Sequence, residues 1–120
     1  LDATQLDLVR RAMIAVTQSG GTAVQASLGA PYAIAGKTGT AQVIGIKQGE
    51  EYDEDKINER HRDHAWFIAF APAENPTIAL AVLVENGGHG GSVAAPIARK
   101  VMDYHLLGEN TKILCQGEDT

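Results

Sequence analysis

The sequence predicts an α+β domain in which helices pack on a small antiparallel sheet. Three observations carry this. Apolar residues recur at helical spacing over residues 4–19 and again over 92–107. Between them lie three short runs with the length and composition of strands. The second and third runs are separated by five residues, a length suited to a hairpin. Short connections favour antiparallel neighbours, and helices segregated from sequential strands mark the α+β class.

The first helix is predicted over residues 4–19. Leu6, Val9, Met13 and Val16 form its buried stripe, while Arg10, Arg11 and Gln18 face water. Thr4 followed by Asp7 is similar to a capping box with Asp in place of Glu. Gly20-Gly21 ends the helix, because glycine takes left-handed geometry cheaply. Residues 20–33 are a connector broken by Gly29 and Pro31.

The first strand is predicted over 33–46, the second over 64–71 and the third over 77–85. Alternation sets Ala79 and Ala81 on one face of the third strand and Ile78, Leu80, Val82 and Val84 on the other. Ala65, Ala69 and Ala71 form a small-residue face on the second strand, which lets a helix approach closely. Both faces are apolar, so the sheet expects cover on both sides. With the two helices covering one face, the other needs a cover that these residues do not supply.

The stretch 45–63 is polar and holds seven acidic and four basic residues. It reads as a long excursion after the first strand, with gating as a second reading. Residues 86–91 form a glycine-rich turn, and Ser92 is the expected N-cap of the last helix. Val93, Ile97, Val101 and Tyr104 form its expected buried stripe, Pro96 sits in its first turn and Gly108 stops it. Residues 1–108 are therefore read as domain, and 109–120 as a polar C-terminal tail.

Composition excludes some functions. A net charge of −5 and the lack of a basic stripe argue against nucleic acid as a partner. The longest unbroken apolar run, Ile78 to Val84, is seven residues, against the roughly 20 of a membrane span. A single cysteine, Cys115, forms no internal disulfide.

The candidate site is Lys37-Thr38-Gly39-Thr40. Thr38 and Thr40 are two apart, so their hydroxyls share a strand face and can hold a carboxylate. Lys37 adds positive charge, and Gly39 has no Cβ to keep a substrate backbone away. The Thr40 N–H is placed to meet a developing oxyanion. If the strand is a sheet edge, a peptide can pair with it. The bland alternative is a solvated surface strand with threonines chosen for β-propensity, and an isolated Lys-Thr-Gly favours it.

The wider context shifts that balance. Gly36-Lys37-Thr38-Gly39-Thr40-Ala41-Gln42 resembles the third active-site motif of the penicillin-binding proteins. The segments 64–72 and 84–88 resemble the next two strands of their class B transpeptidases, and 94–98 the start of the closing helix. These matches stand in the right order over residues 4–108 and are nearest to the elongation-type enzymes of Gram-negative rods. The resemblance implies part of a β-lactamase/transpeptidase-like fold and a serine peptidoglycan D,D-transpeptidase. It implies catalytic roles for Lys37 and Thr40, and substrate binding by Thr38, Gly39 and Thr40. No cofactor and no metal are expected.

The implied partners are the stem pentapeptide, β-lactams and a membrane glycosyltransferase of the elongation complex. The implied location is the periplasmic face of the inner membrane, with a single-pass anchor upstream. The family also needs Ser-x-x-Lys and Ser-x-Asn motifs. Ser19, Ser27 and Ser92 open neither. The expectation is that an upstream segment supplies the nucleophile and that this chain is inactive alone. A serine β-lactamase, a D,D-carboxypeptidase or a non-catalytic binding module with this fold remain the alternatives.

Other features carry less. Gly36-Lys37-Thr38 resembles the end of a phosphate loop, but the required earlier glycine is Pro31. His61, Asp63 and His64 have chelating spacing without enough ligands, and read better as loop residues. His89 reads as a loop histidine that could border a cleft. Trp66, Phe67 and Phe70 read as core rather than a substrate platform.

Overall fold

An aspartate, not the expected threonine, starts the first helix. In the computed structural model, which describes residues 2–42 and 62–108, the Asp2 carboxylate accepts from Gln5 N at 2.8 Å. Gln5 Oε1 accepts in return from Asp2 N at 3.4 Å, which completes a capping box. Helix α1 therefore spans Ala3–Thr17. Asp7, expected to complete a box with Thr4, is instead ion-paired with Arg11 one turn on. The predicted stripe is only half right. Met13 and Val16 are half-buried, whereas Leu6 and Val9 are exposed because nothing among the described residues covers that end. Buried Thr17 closes the helix by donating from Oγ1 to the Ile34 carbonyl at 2.7 Å.

The connector holds a short helix that periodicity missed, α2 at Val24–Ser27. Four residues are too few to show a 3.6-residue pattern. Ser27 Oγ donates to the Thr17 and Val24 carbonyls, which ties α2 to the end of α1.

The three strands are β1 Ala35–Ala41, β2 His64–Ala71 and β3 Ile78–Val84, in the order β1-β2-β3 with both pairings antiparallel. The predicted continuation of β1 to residue 46, most of the acidic stretch and the 109–120 tail lie outside the described residues. A six-residue loop, 72–77, joins β2 to β3 and is closed by Thr77 N donating to the Ala71 carbonyl at 3.0 Å. The Ala71-Pro72 bond within it is cis.

Register sets the alanines of β2 against larger residues of β3. Ala65, Phe67, Ala69 and Ala71 of β2 stand opposite Val84, Val82, Leu80 and Ile78 of β3. This inner face also carries Thr38 and Thr40, and it meets helix α3, Ala95–Leu107. Ala98 and Met102 of α3 are fully buried there with Phe67. Burying side chains such as Phe67 and Met102 stabilises by roughly 1.5–3 kcal/mol each. The outer face carries Lys37 and Gly39, then Trp66 and Ile68, then Ala79, Ala81 and Leu83. Trp66, Ile68 and Leu83 are 39–46% exposed. The aromatic reading is thus split, with Phe67 in the core and Trp66 outside it.

The two long helices do not share a face as expected. Helix α1 flanks β1, with Val9, Ala12, Met13 and Val16 around a groove that also touches Lys37 and Ile68 of the outer face. Helix α3 lies on the inner face. Its buried stripe is Ala95, Ala98 and Met102, while the predicted Ile97, Val101 and Tyr104 are exposed. The helical stretch begins with a π-type turn, Gly90–Ala94. Ser92 does not cap it; its hydroxyl donates to the His89 carbonyl at 3.3 Å. Pro96 in the first turn and Gly108 at the end stand as predicted.

A polar clamp joins the connector to α3. Arg99 donates from Nη1 to the Ala26 and Leu28 carbonyls, and from Nε to Asp103 Oδ1 at 2.8 Å. Tyr32 donates its hydroxyl to the same carboxylate. Burial, then the Asp103 carboxylate beside it, push the Tyr32 phenol well above the usual range, and Arg99 offsets only part of this.

Candidate active site

Among the described residues strand β1 is an edge strand, and alternation divides its four candidate residues between two faces. Thr38 and Thr40 point to the inner side. With a rise of about 3.4 Å per residue, their Cα atoms are roughly 7 Å apart, close enough for two hydroxyls to meet one small anion. They line a pocket of about 400 Å³ together with Thr22, His89, Gly90, Gly91 and Ser92. Thr38 is half-buried and Thr40 exposed, so both can be reached by a solute.

Lys37 does not line this pocket. It sits on the outer side, opposite Ile68 in register, and borders the α1 groove of about 470 Å³. Its ammonium folds back along the edge and donates to the Thr38 carbonyl at 2.7 Å. Gly39 is half-buried on the same side, and a Cβ there would only touch Trp66 Cβ at 3.4 Å.

The pocket's far wall is the turn entering α3. Asn86 anchors it in left-handed geometry at φ 53°, donating from N to His64 Nδ1 at 2.9 Å and from Nδ2 to the Arg62 carbonyl at 2.8 Å. Gly88 N donates to the Asp63 carbonyl at 2.8 Å. Of the chelating trio weighed in the sequence, His64 is thus occupied by Asn86 and His61 lies outside the described residues.

The chain then crosses β1 and β2 at backbone contact. A Cβ on Gly90 would stand 2.1 Å from the Trp66 carbonyl oxygen and 2.8 Å from that of Gly39. A Cβ on Gly91 would stand 2.0 Å from the Thr22 carbonyl oxygen. Only glycines allow this wall to lie so close. The wall is also the N-terminal end of a helical segment, whose dipole favours negative charge in the pocket.

Sequence reasoning missed Thr22 altogether. Its Oγ1 stands 3.1 Å from Thr38 Oγ1, across 16 residues of chain. No local pattern marks a threonine between Gly21 and Ala23 as a neighbour of β1. Its place is set by tertiary contacts: Ala23 N donates to the Val16 carbonyl at 2.9 Å, and Arg99 holds the connector beyond it. Gly90, Gly91 and Ser92 were read as turn and cap, and His89 as a possible border of a cleft, which is where it lies.

Uncharged hydroxyls, a helix N-terminal end and an edge strand suit an anionic, extended ligand. The inner pocket offers donors but no nucleophile paired with a base among the described residues.

Comparison with known proteins gives the family. Residues 1–103 match the family described as the penicillin binding protein transpeptidase domain. The peptidoglycan D,D-transpeptidase MrdA of Acinetobacter baumannii is 55% identical over 100 residues, covering 82% of this chain but 14% of that protein. Its namesake in Escherichia coli K12 is 49% identical over 90 residues, 75% of this chain and 14% of the relative. The structure of Pseudomonas aeruginosa PBP2 in complex with WCK 5153 superposes with a TM-score of 0.74 at 46% identity, covering 92% of this chain and 21% of that one. Helicobacter pylori PBP2 in complex with MreC gives 0.68 at 34% identity, covering 90% of this chain and 19% of that one. The sequence thus spans about a seventh of the curated relatives' length.

Proposed function

The chain belongs to the penicillin-binding protein transpeptidase family, and from that premise we propose that it forms the carboxylate-gripping wall of a peptidoglycan D,D-transpeptidase of the cell-elongation type. The observation that carries this reading is the Thr38–Thr40 hydroxyl pair on an edge strand, open to a pocket of about 400 Å³.

In this reading a stem pentapeptide lies along β1 as an added strand, and its terminal carboxylate meets Thr38 and Thr40. A serine from outside these residues attacks the carbonyl of the penultimate D-alanine. The Thr40 N–H and the serine's own N–H stabilise the oxyanion, D-alanine leaves, and an ester remains. An amine on a neighbouring stem then attacks that ester, forming the crosslink amide and freeing the serine. Lys37 supplies positive potential and helps shape the proton network around the serine. β-Lactams enter the same grip and leave the serine acylated.

The exposed outer-face residues Trp66, Ile68 and Leu83 support a further part of the reading. They are cover surface for the portion of the domain that carries Ser-x-x-Lys and Ser-x-Asn. The periplasmic face of the inner membrane, an upstream anchor and a partner glycosyltransferase complete the proposal.

Fluorescent penicillin tests it. The intact protein should take a covalent label on a serine outside this sequence, and the chain alone should stay dark. Lys37→Ala in the intact protein should slow acylation on the order of a hundredfold, the usual loss for one electrostatic donor of this kind. Label on Ser19, Ser27 or Ser92 would contradict the assignment. An unlabelled intact protein would favour a non-catalytic binding module.

A further inference from the structure

Thr22 belongs to no motif, yet it meets the grip directly. Its Oγ1 lies 3.1 Å from Thr38 Oγ1, and both side chains line the pocket with Thr40. In the free site either hydroxyl can donate to the other. An anion removes that freedom. A carboxylate only accepts, so Thr38 must turn its single proton toward it. The Thr22 hydroxyl must then donate into the Thr38 oxygen, and a bond received there makes Thr38 a stronger donor.

Position matters as much as polarity. A threonine side chain has more than one accessible χ1 well, so the Thr38 hydroxyl needs a reason to stay in the pocket. Thr22 provides it from a fixed place. Buried Ala23, next to it, is bonded to the Val16 carbonyl at 2.9 Å, and the Thr22 carbonyl sits where a Gly91 Cβ would be, 2.0 Å away.

We propose that Thr22 is a positioning residue for ligand carboxylates, holding the Thr38 hydroxyl in the pocket with its proton directed at the anion. The inference rests on the carboxylate-grip reading above and adds to it a residue that acts through Thr38.

The test uses the intact protein, a penicillin and the same penicillin as its methyl ester. Acylation rates over a concentration series separate the apparent dissociation constant from the limiting acylation rate. Thr22→Val should weaken binding of the acid roughly threefold to tenfold, the range of one net hydrogen bond. The limiting rate should stay the same, and the ester should not respond. Thr22→Ser should behave as wild type. In a Thr38→Val background, Thr22→Val should add nothing. Thr22→Ala, which cannot crowd Gly91, gives the same comparison should valine disturb the turn.

Wild-type behaviour of Thr22→Val and Thr22→Ala overturns the proposal. An equal loss with acid and ester also overturns it, since that reports a general structural defect. A wild-type protein that takes no label removes the transpeptidase reading and this inference with it. A labelled wild type with insensitive Thr22 variants removes the inference alone.

Discussion

Gly90→Ala should separate two things that glycine can supply, room and backbone freedom. The new Cβ would stand 2.1 Å from the Trp66 carbonyl oxygen. Carbon and oxygen settle at about 3.3 Å, so the turn must retreat by roughly 1.2 Å. The opposing atoms are backbone in the middle of β2 and β1 and cannot swing aside. Overpacking of this kind costs about 1–3 kcal/mol. The same retreat moves the pocket wall away from Thr38 and Thr40, and a misplacement of about 1 Å can cost on the order of a hundredfold in rate. The assay is penicillin acylation of the intact protein beside a thermal melt. The expected result is a tenfold to hundredfold slower acylation with a lowered melting temperature. Gly29→Ala is the control, because Gly29 has φ +68° and nothing within 4 Å of its added Cβ. It should cost about 1 kcal/mol in backbone strain and leave acylation unchanged. A Gly90→Ala protein that acylates at the wild-type rate would refute the seating of this turn as the pocket wall.

The clamp between connector and α3 gives two further tests. Arg99→Ala strips the buried Asp103 of its ion pair and the connector of two bonds to its carbonyls. The loss in urea unfolding should be about 2–3 kcal/mol, below the usual ~3–5 because Tyr32 still donates to Asp103; a loss under about 0.5 kcal/mol contradicts the clamp. Tyr32 has a folded pKa raised by burial and by Asp103, so its contribution is complete below the unfolded value of about 10 and fades as pH rises past it. The stability advantage of wild type over Tyr32→Phe should therefore be constant from pH 7 to 9 and shrink by pH 11. An advantage that grows with alkalinity would show the opposite sign.

The class of fold was readable because its signals are local. Alternation in 64–71 and 78–84, the hairpin-length loop between them and the helical spacing at both ends need no tertiary knowledge. The errors arose where geometry is set from outside the segment. The stripe of α3 was misassigned because Ile97, Val101 and Tyr104 share an apolar face that nothing among the described residues covers, while the smaller Ala95 and Ala98 are the ones buried. The outer half of α1 looked like core because apolar spacing shows which face is greasy, not whether anything lies against it. The Lys-Thr-Gly-Thr run was found at once, since its alternation and residue types are contiguous. Thr22, Gly90 and Gly91 were not, because their part in the pocket comes from contacts made across the fold.

The methyl-lined seam between sheet and helix has a consequence at a distance. Ala65, Ala69, Ala71, Ala94, Ala95 and Ala98 are all buried where α3 meets β2. Alanines have no rotamers to freeze, so the seam is tight at little entropic cost. For the same reason they cannot bend out of the way. A bulkier residue anywhere along that line would lever the rigid helix as one body, and the helix begins in the turn that borders Thr38 and Thr40. Substitutions that never touch the pocket would in this way move its wall.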